Sequence, residues 1–220
     1  MIGGKRTITN PSYRRRTGYH GMLVGATALI ASALLVLGNI STRDAIAMRH
    51  AEDIQRMLAE VIPKALHEND LLQDKFELDG RQIFQARLND EVSAVSYQVA
   101  GPGYSGLITI IMAVDKNGTL LGVRVVSHSE TPGLGDKVEE DRSDWVHEFE
   151  GMQLTKANEK QWAVKKDGGK IDQFTGATIT PRAVVKAIKG GMEFFAQHKQ
   201  RLLTYEPGPE SGISEVKKNG

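Results

Sequence analysis

Residues 107–126 read LITIIMAVDKNGTLLGVRVV: an apolar run from Leu107 to Val114, then Asp115, Lys116, Asn117 and Gly118, then a second run from Leu120 to Val126. Both runs are rich in β-branched residues, which favour a pleated surface. Asn-Gly between two such runs is a strong hairpin signal. Residues 92–99 (VSAVSYQV) predict a third strand just upstream. Short loops between consecutive strands make the sheet mainly antiparallel.

Downstream the pattern changes to helical spacing. Residues 136–150 predict an amphipathic helix whose apolar face is Val138, Trp145, Val146 and Phe149, and a strand is expected around Trp162–Val164. The last element is a helix from Pro181 to about Gln200, in which Val184, Val185, Ile188, Met192 and Phe195 recur on one face. Thr180 is the expected N-cap and Pro181 the first helical residue. The fold class is therefore α+β, a single α/β domain. Residues 206–220 hold Pro207, Gly208, Pro209, Gly212 and Gly220 and read as a flexible tail.

Upstream lies a membrane segment. Thr17 to Thr42 contains no Asp, Glu, Lys or Arg, and 14 of the 20 residues from Gly21 to Ile40 are Ala, Val, Ile, Leu or Met. Twenty helical residues span about 30 Å, the thickness of a bilayer core. The run exceeds the usual apolar region of a cleaved signal peptide, so an uncleaved anchor is preferred. Lys5, Arg6, Arg14, Arg15 and Arg16 precede it and Arg43 alone follows closely, which places the N-terminus in the cytoplasm. Residues 43–61 continue as a helix with Ile46, His50, Ile54, Leu58 and Val61 on one face, closed by Pro63.

Composition removes several classes of function. The chain has no cysteine among its 220 residues, which excludes disulfides, thiolate zinc, cysteine-ligated clusters and a cysteine nucleophile. The formal net charge is +1, but without the five N-terminal cations 23 basic side chains face 27 acidic ones. A basic tip on an acidic body is no nucleic-acid footprint. The six histidines, His20, His50, His67, His128, His147 and His198, have no metal-ligand spacing, and no metal is expected. Trp145 and Trp162 are expected in the core.

Two glycine signals point in opposite directions. Gly101, Gly103 and Gly106 spell G-x-G-x-x-G, but a strand and not a helix follows, so no helix N-terminus is offered to a dinucleotide. The segment reads as a turn between strands in which glycines also let backbone approach a ligand closely. The second signal is Asp172-Gln173-Phe174-Thr175-Gly176-Ala177-Thr178-Ile179-Thr180, directly before the last helix. A helix N-terminus carries free N–H groups and about half a positive charge, which favours a phosphate near Thr178. By residue type alone an ordinary capped helix explains the same threonines, and is the preferred reading at that level.

The motif resembles a known one. Asp172-x-x-Thr175-Gly176-Ala177-Thr178 is similar to the D-x-x-[S/T]-G-A-T acceptor signature of proteins to which a flavin transferase attaches FMN by a phosphoester bond to the last threonine. Glu130-Thr131-Pro132-Gly133-Leu134-Gly135 resembles the E-T-P-G-L-G loop of the same FMN-binding domain family. The resemblance covers roughly residues 17–200, and within the family the chain is most similar to the G subunits of Rnf ion-translocating oxidoreductase complexes. The C subunits of sodium-pumping NADH:quinone oxidoreductases are the near relatives.

The resemblance implies covalent FMN on Thr178, a phosphate surrounded by Thr175, Gly176, Ala177, Ile179 and Thr180, and a loop against the flavin ring formed by Glu130, Thr131, Pro132, Gly133, Leu134 and Gly135. Asp172 would be read by the transferase, or is a turn-forming aspartate. It further implies an electron-carrying translocase subunit that is not catalytically complete alone, coupled to ferredoxin and NAD through other subunits, including a second flavin-bearing membrane subunit. A flavin transferase would act during maturation. The expected organisation is a cytoplasmic N-terminus (1–16), a transmembrane helix (17–42), a periplasmic FMN-binding domain (43–205) and a tail (206–220), in the inner membrane of the cell. The alternatives are a subunit of a quinone reductase type pump, or a non-redox anchor or assembly module.

Overall fold

The computed structural model describes residues 17–205, so the basic N-terminus and the tail from 206 lie outside the described residues. A first helix, α1 (Thr17–Val61), is followed by five strands, β1 (Lys75–Leu78), β2 (Arg81–Leu88), β3 (Glu91–Pro102), β4 (Leu107–Asp115) and β5 (Leu120–Ser127). Short 3₁₀ turns lead from β5 to the final helix, α2 (Ile179–Leu203). Contacts divide the chain into two units, Met1–Glu52 and Asp53–Gly220.

In the first unit, Gly18–Arg43 is a 26-residue helical stretch long and apolar enough to cross a membrane, with none of it buried. At 1.5 Å per residue it exceeds the roughly 30 Å of a bilayer core. Leu29, Ile30, Leu34 and Leu35 all project outward. Such an all-round apolar surface is stable only against lipid or other protein.

In the second unit the five strands form one antiparallel sheet in sequence order, β1-β2-β3-β4-β5. The β4–β5 hairpin forms as its sequence predicts. Its loop is not the two-residue kind, however: the Asp115 N–H donates to the Thr119 C=O (2.9 Å), and Gly118 alone turns left-handed, at φ +91°. This is the three-residue loop in which a bulge follows a tight turn. Asp115 Oδ1 accepts from the backbone N–H groups of Asn117 and Thr119, holding the loop closed.

Interior strand β4 is buried on both faces. Ile108, Ile110, Met112 and Val114 join the core under α2, while Ile111 and Ala113 meet Leu58, Val61 and Ile62 on the opposite side. A strand covered on both faces needs a continuous apolar run, which is what residues 107–114 supply. On α2, Val184, Val185, Ile188, Met192 and Phe195 are buried, and the Tyr97 hydroxyl donates to the Gly191 carbonyl (2.8 Å).

Four sequence expectations change. The helix expected at 136–150 is two separate 3₁₀ turns, Asp136–Val138 and Asp144–Phe149. Its apolar residues are buried as expected, but Ser143 interrupts it, extended and accepting from the Trp145 N–H as a cap. Around Trp162–Val164 there is no strand, only a bridge from Val164 to Ile171 after a 3₁₀ turn at Glu159–Gln161. The polar stretch before residue 92 holds β1 and β2, which hydropathy alone did not reveal. Finally, α2 starts two residues early: Thr178 is the N-cap and Thr180 lies inside the first turn. The Thr180 hydroxyl is taken by Glu130, so it cannot cap, and Pro181 is tolerated because a first-turn N–H has no intrahelical acceptor.

Candidate functional site

Three loops and one helix end meet at a cavity of about 360 Å³, lined by Glu130, Thr131, Leu134, Gly135, Gly176, Ala177, Thr178, Ile179, Thr180 and Tyr104. That volume is within the usual range of small-molecule sites. The fold thus brings the 130–135 loop to the 175–180 segment across about 45 residues of sequence.

The acceptor segment is shaped by its backbone. Phe174 to Ala177 closes a turn through the Ala177 N–H and the Phe174 C=O (3.2 Å), with Gly176 at φ +82°. Only glycine adopts that conformation without strain. The turn delivers Thr178 to the start of α2, where it is half-buried and its side chain makes no capping bond. A helix start whose cap hydroxyl is uncommitted presents both a nucleophile-derived oxygen and unpaired N–H groups to one small volume.

Glu130 is the centre of the second loop. It is 5% exposed, and its carboxylate accepts from the Ser105 N–H (3.0 Å), the Tyr104 N–H (3.2 Å) and the Thr180 hydroxyl. Its own N–H donates to Nδ1 of His128 (3.0 Å), whose Nε2 lies 2.7 Å from Glu139. Burial by itself would raise the Glu130 carboxyl, but the donors from Thr180, Ser105 and Tyr104 and the nearby His128 hold it below its ordinary value. Close approach is essential here: a Cβ on Gly135 would sit 2.8 Å from the Glu130 Cβ and 2.9 Å from the Thr180 oxygen.

The remaining expected residues sit around this centre. Pro132 and Gly133 form the turn of the loop and Thr175 the turn before Thr178, but none of the three lines the cavity. Asp172 is about half exposed and forms an ion pair with Lys165; its N–H donates to Glu148 (3.0 Å) and its C=O accepts from the Trp145 indole (2.9 Å). Trp145 is therefore a core residue that also anchors the acceptor loop.

Tyr104 is a lining residue that the motifs do not mark. It lies inside G-x-G-x-x-G, in a turn where the Gly103 N–H donates to the Gly106 C=O (2.7 Å). Its side chain is 71% exposed and, with Leu134 (44%) and Ile179 (47%), gives the cavity an apolar rim. The available signal was the glycine cluster itself, which marks a close backbone approach once the dinucleotide reading is discarded.

A cavity at a helix N-terminus, between two glycine-rich loops and with an apolar rim, fits a flat aromatic ligand that bears a phosphate. Residues 103–193 match the FMN-binding domain family. The G subunit of the ion-translocating oxidoreductase complex of Cereibacter sphaeroides is 45% identical over 192 residues, covering 85% of this chain and 88% of that protein. Its counterpart in Stutzerimonas stutzeri is 39% identical over 216 residues, covering 94% and 95%. The solved structure of NqrC from Shewanella oneidensis is 25% identical, covers 64% of this chain and 73% of that one, and superposes with a TM-score of 0.45. The protein is thus an FMN-binding domain joined to one apolar N-terminal helix. It belongs to the family formed by the G subunits of ion-translocating oxidoreductase complexes.

Proposed function

We propose that the chain carries FMN covalently, through a phosphoester to Oγ1 of Thr178, and relays electrons within an ion-translocating, Rnf-type oxidoreductase complex. The observation that carries this reading is the position of Thr178: the capping residue of α2, with no side-chain capping bond, in the wall of the cavity. FMN supplies the electron chemistry, and the chain supplies position and electrostatics. Backbone donors of the first α2 turn, that of Ile179 among them, would hold the phosphate, while the side chains of Tyr104, Leu134 and Ile179 would lie against the ring. A tether sustains a local cofactor concentration of order millimolar however dilute the surroundings.

The same reading has the domain on the periplasmic side of the inner membrane, with residues 1–16 in the cytoplasm, 17–42 spanning, 43–205 forming the flavin domain and 206–220 a tail. The five N-terminal cations support this orientation. The names of the relatives support partner subunits in a complex; among them we include a second flavin-bearing membrane subunit, with ferredoxin and NAD handled by others. Attachment requires a flavin transferase, for which Asp172, exposed beside the acceptor turn, is the recognition residue.

The test is denaturing-gel fluorescence of the chain expressed with its complex and a flavin transferase, followed by peptide mass mapping. The expected result is a fluorescent band in which Thr178 is heavier by FMN less one water. A dark band from membranes that flavinylate other proteins would leave a non-redox anchor module.

A further inference from the structure

We propose that Glu130 is a fixed negative charge in the cavity wall that lowers the reduction potential of the flavin held there, an inference that rests on the FMN reading above. Glu130 is buried, lines the cavity, and is held by three donors that come from two different segments, so its carboxylate cannot swing away into solvent. All three partners are dipoles and none is a cation.

The neighbouring His128 gives the carboxylate no hydrogen bond, and its effect is smaller than that of the three donors. The ring accepts the Glu130 N–H at Nδ1, and its Nε2 lies 2.7 Å from Glu139, so its polar atoms are turned to the Glu130 backbone and to Glu139 and neither bonds the Glu130 carboxylate. The Glu130 carboxyl, held below its ordinary value by its donors, agrees with a carboxylate that stays charged. The result is a full negative charge compensated chiefly by hydrogen bonding.

Adding an electron to a flavin adds negative charge unless a proton follows. A fixed anion nearby opposes that addition, and the opposition falls only as the inverse of distance. The cavity volume of about 360 Å³ corresponds to a width of about 7 Å, so any ring that fills it lies within that reach of the wall. At an effective dielectric near 20, one unit charge at such a distance changes an equilibrium by more than tenfold; discounting for the three donors leaves about tenfold.

The experiment is a reductive titration, followed by absorbance, of the full-length chain flavinylated in membranes and solubilised in detergent. Gel fluorescence of the unsubstituted chain first decides the FMN reading separately: a dark band would sink that reading and this inference with it, whereas a fluorescent band followed by an unchanged potential in Glu130→Gln would sink this inference alone. For fluorescent protein, Glu130→Gln removes the charge and preserves the shape; its one-electron equilibrium is expected to favour reduction about tenfold more, a rise of about 59 mV. Thr180→Val keeps the carboxylate and deletes one of its donors, so its potential is expected to fall. Mere loosening of the loops would move both variants the same way, and that result would overturn the proposal, as would an unchanged potential in Glu130→Gln. Should Glu130→Gln fail to fold, Thr180→Val decides alone, and a potential that stays or rises refutes the charge effect.

Discussion

Thr178 and Thr180 stand two residues apart on one helix end, yet their hydroxyls have different employment. Thr180 is buried and gives its proton to Glu130, whereas Thr178 makes no capping bond and faces the cavity. Thr178→Ala is therefore expected to abolish covalent flavin while changing stability by no more than about 0.5 kcal/mol, the usual range where no cap or core contact is lost. Fluorescence and a thermal melt on one sample check both halves. Thr175, exposed and outside the cavity lining, is expected to tolerate alanine with at least partial attachment; total loss in a folded Thr175→Ala protein would move the bond or its recognition to that residue. Glu130 adds a pH prediction. Its carboxyl is held below the ordinary value in the folded chain, so its stabilisation is present above the unfolded value and is lost as pH falls through the folded one. Melting temperatures measured from neutral pH down into the carboxylate range should fall less steeply in Glu130→Gln than in the parent.

At the scale of elements, turns govern both what was legible and what was not. The hairpin at 107–126 was readable because Asn117-Gly118 separates two strongly apolar runs. The same logic applies to β1–β2 and β2–β3, whose links are Asp79-Gly80 and Asn89-Asp90, all four residues at positive φ. These are two-residue hairpin turns of the kind Asp-Gly and Asn-Asp favour, but the strands beside them are rich in charged and polar residues and their alternation is faint. Gly80→Ala is expected to cost about 1 kcal/mol, because a Cβ there must adopt φ near +73°, and to lower the melting temperature by a few degrees. The segment 136–150 failed in the other direction: its apolar spacing fits a helix, but two short turns bury the same side chains against the sheet. Trp145 ties that segment to the acceptor loop through the Asp172 carbonyl. Trp145→Phe should lose about 1 kcal/mol and slow flavin attachment, since the loop that presents Thr178 is held less firmly. A time course of gel fluorescence with a limiting amount of transferase measures it.

For the whole molecule, the described chain divides at Glu52/Asp53, and the core lies entirely beyond that point, beginning with Leu58. A chain starting at Asp53 is expected to remain soluble without detergent and to melt cooperatively, because it retains both apolar layers of the sheet, Leu58 and Val61 of α1 included; aggregation on size-exclusion chromatography would show that the part of α1 before Asp53 is also needed. Sequence by itself determined the membrane-length helix, the β4–β5 hairpin, the final helix and the acceptor motif. Each is written in neighbouring residues, as an uncharged run, a turn between β-branched stretches, a helical spacing or a short signature. Tertiary structure alone decided what surrounds Thr178. Glu130 reaches Ser105 across 25 positions, Tyr104 across 26 and Thr180 across 50, and these contacts exist only once β3, β5 and α2 have packed. No local pattern encodes such pairings, because they are set by chain closure and by glycines such as Gly135 that allow the segments to touch. The apparent dinucleotide motif shows the same division: its spelling is local, but its use, to carry Tyr104 to the cavity rim, is a property of the packed fold.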